Sequence, residues 1–499
     1  MTIVTRIDPG DAGGPPTLVL HGDGAPPAAV ELVGPRVRVS AVPVSDDAGW
    51  SAVLPLQAAR WGSPALPLPS GEYALRVIGQ GGIEMSVAAS TPLTMTATLR
   101  AHLGGGVLHV HPPIDPAYDS GEGQDALERR YATRPGGAGG ERENAVFFES
   151  FYGRNASCNP RAIDRELARV APGITRYWSV VDLSVSVPDG AIAVVEGSPQ
   201  WWRARGAARL LVVNDWLRRR YSRRPGQVVV QTWHGTPLKR LALHRPGFDA
   251  RRAVAVLRES RRWDVLVVQN PYAERILRKA YAFPGRPVWV EGQPRNDILV
   301  TGDAAPVRAA LGIGAGERVL LYAPTWRDDR ERMVDFLDLD RLAADTGAVV
   351  LVRGHSRTLL PGADLVAADA AASAPRVIDV TAYPDIADLL LVADALITDY
   401  SSVMFDYTAT GKPIYFFAPD LEHYRGELRG FYFDLPAHAP GPFVTTQSEL
   451  TAALLHPAAS EAYAQRYARW RVRFNPRDDG HCAERVVARI LDQGFVDRE

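Results

Sequence analysis

The sequence predicts an α/β protein: a pair of Rossmann-like domains preceded by an all-β sandwich-like domain. Three observations lead there. At 499 residues the chain exceeds one ordinary core. Its first hundred residues alternate polar and apolar between Gly and Pro punctuation. Beyond residue 145, short continuous apolar runs alternate with helix-length stretches, the pattern of a parallel sheet covered on both faces.

Residues 1–111 carry TLVL, RVRVSAVPV, EYALRVIG and LTMTATL, the short strands of a sandwich. Residues 112–144, rich in Gly, Pro and charge, read as a linker with one helical turn. From 145 to 295 the strands AVFF, AIAVVEG, RLLVVN, VVVQTW, DVLVVQN and PVWVEG build a first Rossmann-like domain. The PRND segment near residue 296 marks the crossing into a second, 296–499, built on VLLYAPTW, AVVLVRGHS, PRVIDV, DALITDY and PIYFF and closed by C-terminal helices. Ligands of such paired sheets bind at the carboxyl ends of the strands.

A formal net charge of -1 gives no bulk attraction to nucleic acid, which is excluded as a partner. The two cysteines, Cys158 and Cys482, make no disulfide framework and no zinc spacing, which fits a reducing compartment. The start MTIVTRIDPG lacks the features of a signal peptide, and no apolar run approaches the length of a membrane span, so a cytoplasmic protein is expected. Between Arg203 and Arg224 lie eight arginines and one acid, followed by Lys239, Arg240, Arg245, Arg251 and Arg252. Basic faces of this kind hold peripheral enzymes at anionic leaflets, and they also occur as plain solvated helix faces.

Chemistry-bearing residues cluster at strand ends. In ALITDYSSVMFDY, Asp399, Ser401 and Ser402 stand between a strand and a helix, where free amides and two hydroxyls suit phosphate oxygens; the same residues suit ordinary capping. Asp406 lies a turn further on, within reach of a ribose. In LYAPTWRDD, Thr325, Trp326 and Arg327 project from a strand end, Arg327 offering a fork of donors to phosphate. Asp328 and Asp329 are candidates for a divalent cation without a supporting motif, since adjacent acids are usually a solvated helix start.

Two histidines share this setting: His234 in QTWHGTPLKRLALH, followed by Gly235 and a helix rich in positive charge, and His355 in VLVRGHSR. One would take a proton from an acceptor hydroxyl while the other places positive charge on phosphoryl oxygens. Of the remaining histidines, His244, His423 and His481 are the next candidates. In FFESFYGRNASCNPRAI, Gly153 allows a close backbone approach, Asn159 caps a helix and Pro160 takes its first position.

In order, FFESFYGRNASCNPRAI, QTWHGTPLKRL, GQPRNDIL, LYAPTWRD, the run from DVTAYPDIADLLLVADALITDYSS to PIYFF, and RGFYFDL resemble the CDP-glycerol glycerophosphotransferase family over roughly residues 145–490. The resemblance implies a GT-B arrangement with CDP-glycerol or a related CDP-alditol in the carboxyl-terminal half and a lipid-linked or polymeric glycan acceptor entering from the other. It places His234 as base and His355 near the phosphates, Arg327, Ser401 and Ser402 around the pyrophosphate, and Asp406 near ribose; Thr325, Asp399, Gly235 and Gly153 are further substrate-binding candidates. The CDP-alditol is a donor substrate; no cofactor is assigned, and a divalent cation stays open without a supporting motif. Ser356 follows His355 where the family often has Pro. The rival enzymatic reading is a GT-B sugar transferase using a nucleotide sugar. A third is a non-catalytic glycan-binding scaffold. For residues 1–111, polymer binding, docking of another synthase and self-association stand equal.

Overall fold

The computed structural model describes residues 3–10, 14–46, 49–85, 87, 89–132, 142–219, 221–222, 224–325, 336–354, 376–420, 430–456 and 458–498. Two parallel sheets dominate it. The first runs, edge to edge, Ile192–Val195, Thr175–Val180, Glu143–Glu149, Ala208–Val213, Val228–Gln231, Val265–Val268 and Val288–Val290. The second runs Val377–Asp379, Val349–Val352, Val319–Ala323, Ala395–Thr398, Ile414–Phe417 and Phe443–Val444. In both, the first strand in sequence is third in space and the chain then reverses direction across the sheet. That reversal is the switch point at which Rossmann folds open a ligand crevice.

The apolar runs have a direct physical reading. Alternate residues of one strand enter different cores: Leu211 and Val213 join Phe147, Trp201 and Trp263, while Leu210 and Val212 join Phe148, Trp178 and Val267. A strand buried on both faces cannot afford a polar side, so it loses the period-two signature and reads as VVVQ or LLVV. Helix starts follow local chemistry. Asn270 accepts from the Ala273 amide ahead of Pro271–Ala280, with Pro271 in the first turn where its missing N–H costs nothing.

The chain leaves the first sheet through Pro294–Asn296 and returns near residue 478. The closing helix Cys482–Asp492, assigned from sequence to the second half, packs on Cys158–Val170 and places Val486, Val487 and Ile490 in the core of the first sheet. Its amphipathic stripe did not reveal which sheet it would cover. The two crossings are pinned together: Asp478 accepts from the Gln293 amide (2.8 Å), Asn296 Nδ2 (3.1 Å) and Asn475 Nδ2 (2.7 Å), and Asp297 accepts from the Cys482 and Ala483 amides.

Ahead of these lie two antiparallel sheets sharing one core that includes Leu18, Leu20, Trp50, Leu32, Tyr73 and Val77. Strands such as Gly71–Ile78 alternate buried and more exposed residues. This part touches both halves of the α/β body, through Ser70 N to Asp182 (2.8 Å) and through Trp61 edge-on to Tyr383. The expected linker holds a helix of 12 residues, Gly121–Ala132, rather than one turn. Leu127 buries its one apolar face, and Gln124 bonds the Gly197 carbonyl and the Trp202 indole, so tertiary contacts order a segment whose composition reads as loop.

Candidate functional site

The carboxyl ends of the two sheets meet at His234. Strand Val228–Gln231 ends in Thr232 and Trp233, and the half-buried imidazole of His234 follows. Its Nδ1 lies 2.8 Å from the carbonyl oxygen of Asn214, at the end of the adjacent strand. A carbonyl only accepts, so in the neutral ring the proton sits on Nδ1 and Nε2 carries the lone pair. The ring stacks on Trp233 (centroids 4.5 Å) and meets Phe151 edge-on. Burial lowers its pKa below the ordinary imidazole value, against the opposing pull of Asp215.

The loop is held from beneath. Asn159, fully buried, donates from Nδ2 to the carbonyls of Thr232 and Trp233, both at 3.1 Å. Its Oδ1 accepts from the Arg295 amide (3.2 Å). Gln231 Oε1 accepts from the Trp233 amide, and Thr236 bonds Gln269. Around the ring, Phe151, Tyr152, Cys158 and Trp233 adopt left-handed backbone (φ 44, 61, 64 and 51) although none is glycine. Each such residue costs of order 1–3 kcal/mol, and this clustering is characteristic of sites where position matters more than stability.

From the other half, Ser402 faces Gly235: a Cβ on Gly235 would lie 3.3 Å from Ser402 Oγ and 3.8 Å from Arg295 Nη2. Ser402 makes no side-chain cap hydrogen bond to its short helix Val403–Tyr407, so capping does not occupy its hydroxyl. Ser401, half-buried, accepts on its carbonyl from the Met404 amide. Arg295, in the crossing, donates to Asp406 Oδ2 at 2.6 Å and to Cys158 Sγ at 3.0 Å, fully inside the protein. Burial works against the guanidinium charge, but Asp406 and the Cys158 sulfur more than offset it and raise its pKa. Burial lifts the Asp406 carboxyl above its ordinary range, opposed by Arg295.

The sequence-predicted residues thus divide. His234, Gly235 and Ser402 come together. Asp406, 1% exposed, takes Arg295 as its partner. Asp399 is buried and accepts from the Thr325 amide (2.9 and 3.1 Å), joining two strand ends of the second sheet. Gly153 approaches neighbouring backbone, since a Cβ there would lie 3.1 Å from Ser179 O and Val180 Cα. Arg327 and His355 lie outside the described residues, as do Asp328, Asp329 and His423; Thr325 and Gly354 are the last described residues before them. His244 bonds Tyr432 Oη (2.8 Å), and His481 pairs with Glu484 at the surface.

Three expectations are corrected. The basic stretch after His234 is not a helix: Pro237 interrupts it, Lys239 bridges Phe431 in antiparallel fashion, and Leu238 and Arg240 exchange backbone hydrogen bonds with Tyr432 and Gly430. Several of the described arginines of 203–224 are engaged within the protein rather than forming a free basic face. Arg205 is buried against Trp201 and Trp202, Arg209 pairs with Asp497, and Arg218 and Arg219 pair with Glu196. Asn159 does not cap its helix but sits inside it, after Ser157, with its amide turned to the His234 loop. Sequence reasoning also missed Arg295 and Asn214; the only signal for Arg295 was a lone arginine inside the crossing segment.

Among the described residues there is no group of three or more His, Cys, Asp or Glu placed to hold a metal ion, and no helix long and apolar enough to cross a membrane.

Two facing parallel sheets with a polar junction at their carboxyl ends define a GT-B-like enzyme fold. Within that class the chain belongs to the CDP-Glycerol:Poly(glycerophosphate) glycerophosphotransferase family, whose sequence model matches residues 140–492. It is 34% identical over 387 residues to the teichoic acid glycerol-phosphate transferase of Staphylococcus aureus (strain NCTC 8325 / PS 47), covering 70% of this chain and 93% of that one. To the teichoic acid poly(glycerol phosphate) polymerase of Bacillus subtilis (strain 168) it is 37% identical over 334 residues, 63% of this chain but only 44% of the polymerase. A solved structure of the wall teichoic acid polymerase TagF, a variant soaked with CDPG, superposes with TM-score 0.64 at 32% identity, covering 71% of this chain and 90% of that one.

Proposed function

We propose that this protein transfers glycerol phosphate, or a related alditol phosphate, from a CDP-activated donor to a hydroxyl of a lipid-linked or polymeric teichoic-acid-type acceptor. The observation that carries the reading is the 2.8 Å contact of His234 Nδ1 with the Asn214 carbonyl, which assigns the proton to Nδ1 and leaves Nε2 as a base, with burial favouring the neutral ring. The acceptor oxygen gives its proton to Nε2 and forms a bond to the glycerol-bearing phosphorus. The bond from that phosphorus to the bridging oxygen breaks, and CMP leaves with the electron pair. No protein nucleophile takes part. Charge developing on the phosphoryl oxygens calls for positioned donors, a role we assign to Ser401 and Ser402, to Arg327 and Thr325, and to His355. Asp399 would act indirectly, by setting the Thr325 backbone.

A membrane-bound acceptor fits a second feature. Phe248 is 92% exposed and Val254 54%, and Arg240, Arg245, Arg251 and Arg258 are also exposed on the same continuation of the His234 segment. A segment that exposes both apolar side chains and cations suits the surface of an anionic leaflet.

The decisive experiment is incubation of the purified protein with a panel of CDP-alditols and lipid-linked acceptor analogues, reading product mass and released nucleotide together. CMP release coupled to an acceptor mass gain of one alditol phosphate is expected. Release of a nucleoside diphosphate with sugar transfer would replace the proposal by the sugar-transferase reading, and binding without turnover by the scaffold reading.

A further inference from the structure

The antiparallel hairpin Arg100–Gly104 and Val107–His111 lies outside the residues that match the family. Its inward side chains, Ala101, Leu103, Leu108 and Val110, belong to the core. Its outward ones form an unusual row, because the register sets Arg100 opposite His111 and His102 opposite His109. The three imidazoles are stacked: His102 on His109 at 4.7 Å and 9°, His102 on His111 at 5.9 Å and 5°. Leu93, Arg100, His102, His111 and Asp119 line a cavity of about 370 Å³, within the size range of small-ligand sites.

The polar atoms of this cavity narrow the ligand. Arg100, buried by its own sheet, bonds Asp119 Oδ2 at 2.5 Å and the Pro112 carbonyl at 3.2 Å. His102 Nδ1 is enclosed and makes no hydrogen bond, so the imidazole presents its ring rather than this nitrogen to the cavity. A phosphate entering here would face the Asp119 carboxylate, and an ammonium would face Arg100. A hydroxyl both donates and accepts, so it can meet the Asp119 carboxylate and the Arg100 guanidinium together. The flat imidazole stack and Leu93 offer apolar surface to C–H groups. Burial beside Arg100 keeps His111 below the ordinary imidazole pKa, which favours its neutral form.

We propose that the cavity between Leu93, Arg100, His102, His111 and Asp119 is a binding site for a neutral saccharide. It gives residues 1–111 a task separate from the transfer site.

The test is calorimetric titration of the full-length protein with N-acetylglucosamine, N,N'-diacetylchitobiose, galactose and maltotriose, with inorganic phosphate as the anionic probe and no donor present. At least one sugar is expected to bind with a dissociation constant in the millimolar range or tighter, and phosphate is not expected to compete. Leu93→Glu and Asp119→Asn should each weaken binding about tenfold or more, equivalent to about 1.4 kcal/mol, while His234→Ala leaves it unchanged. Leu93 is 51% exposed, so its substitution does not threaten folding. Absence of saturation by every sugar at about 20 mM, binding indifferent to both cavity variants, or displacement by phosphate would each overturn the proposal. Because no turnover is measured, such a failure leaves the transfer reading untouched.

Discussion

Arg295 and Asp406, 111 residues apart, form an ion pair at 2.6 Å that is sealed from solvent and joins the interlobe crossing to the second half. Removing one partner strands the other charge. Arg295→Met is expected to destabilise the protein by about 3–5 kcal/mol, and Arg295→Met with Asp406→Leu to recover most of that loss. Equilibrium urea denaturation of the singles and the double decides it. A double no better than the worse single would mean that the pair contributes geometry that apolar packing cannot replace.

Arg295 also sits close enough to the Gly235 backbone to make this junction sensitive to one added carbon. Gly235→Ala places a Cβ 3.3 Å from Ser402 Oγ, tight enough to displace one half slightly from the other. We expect an at least tenfold fall in kcat/KM with less than about 1 kcal/mol of lost stability, because only the junction is disturbed. Because Ser402 also serves the phosphoryl oxygens, relief of crowding is read from stability: Ser402→Ala combined with Gly235→Ala should recover part of the lost stability and none of the lost kcat/KM.

For His234, substitution by Ala is expected to lower kcat by about 10²–10⁴-fold while the thermal midpoint changes little. The pH profile gives a sharper check. The folded pKa lies below the usual 6.5, so the base stays neutral, and activity flat, as pH falls to that value. The acid limb appears only at lower pH. Stability from keeping the ring neutral follows the same sign: present above 6.5, lost as pH falls through the depressed value. An acid limb centred above 6.5 would contradict the buried, carbonyl-bonded state.

How much of this was written in the sequence follows from the range of each interaction. Both parallel sheets were legible, because two-sided burial forces apolar runs such as VVVQ and ALIT. His234 was legible from its place at a strand end. Arg295 and Asn159 were not: their partners lie in other elements, and nothing local distinguishes a hinge arginine from a surface one or an Asn that braces a loop from one that caps a helix. The basic stretch after His234 misled for the same reason. Its charges suit a helix, but its backbone is claimed by Gly430 and Tyr432, 190 or more residues on.

Membrane contact through the Phe248 surface is expected to be electrostatic in part. Arg245→Glu and Arg251→Glu should each weaken co-sedimentation with vesicles rich in anionic lipid about fivefold or more, from about 1 kcal/mol per basic residue lost. Phe248→Ser should weaken it at high salt as well, where the charge contribution is screened. Equal binding of all three variants to anionic vesicles would remove this surface from consideration.

Glu149 closes the strand Glu143–Glu149 with its carboxyl fully inside the protein at 4% exposure. Burial, opposed by a hydrogen bond to Ser179, pushes its pKa up from 4.5 to about 7. A raised folded value means the protein holds a proton that the unfolded chain has already released. The resulting stability is complete below pH 4.5 and is lost as pH rises through 7. At 1.36 kcal/mol per pH unit, the loss across that interval is on the order of 3 kcal/mol. Glu149→Gln keeps the shape without the charge, so its denaturation midpoint should exceed that of the parent protein at pH 8 and match it near pH 5. Parallel stability curves for the two proteins between pH 5 and 8 would show that Arg205 and Arg218, which favour the ionised form, dominate over burial at this position.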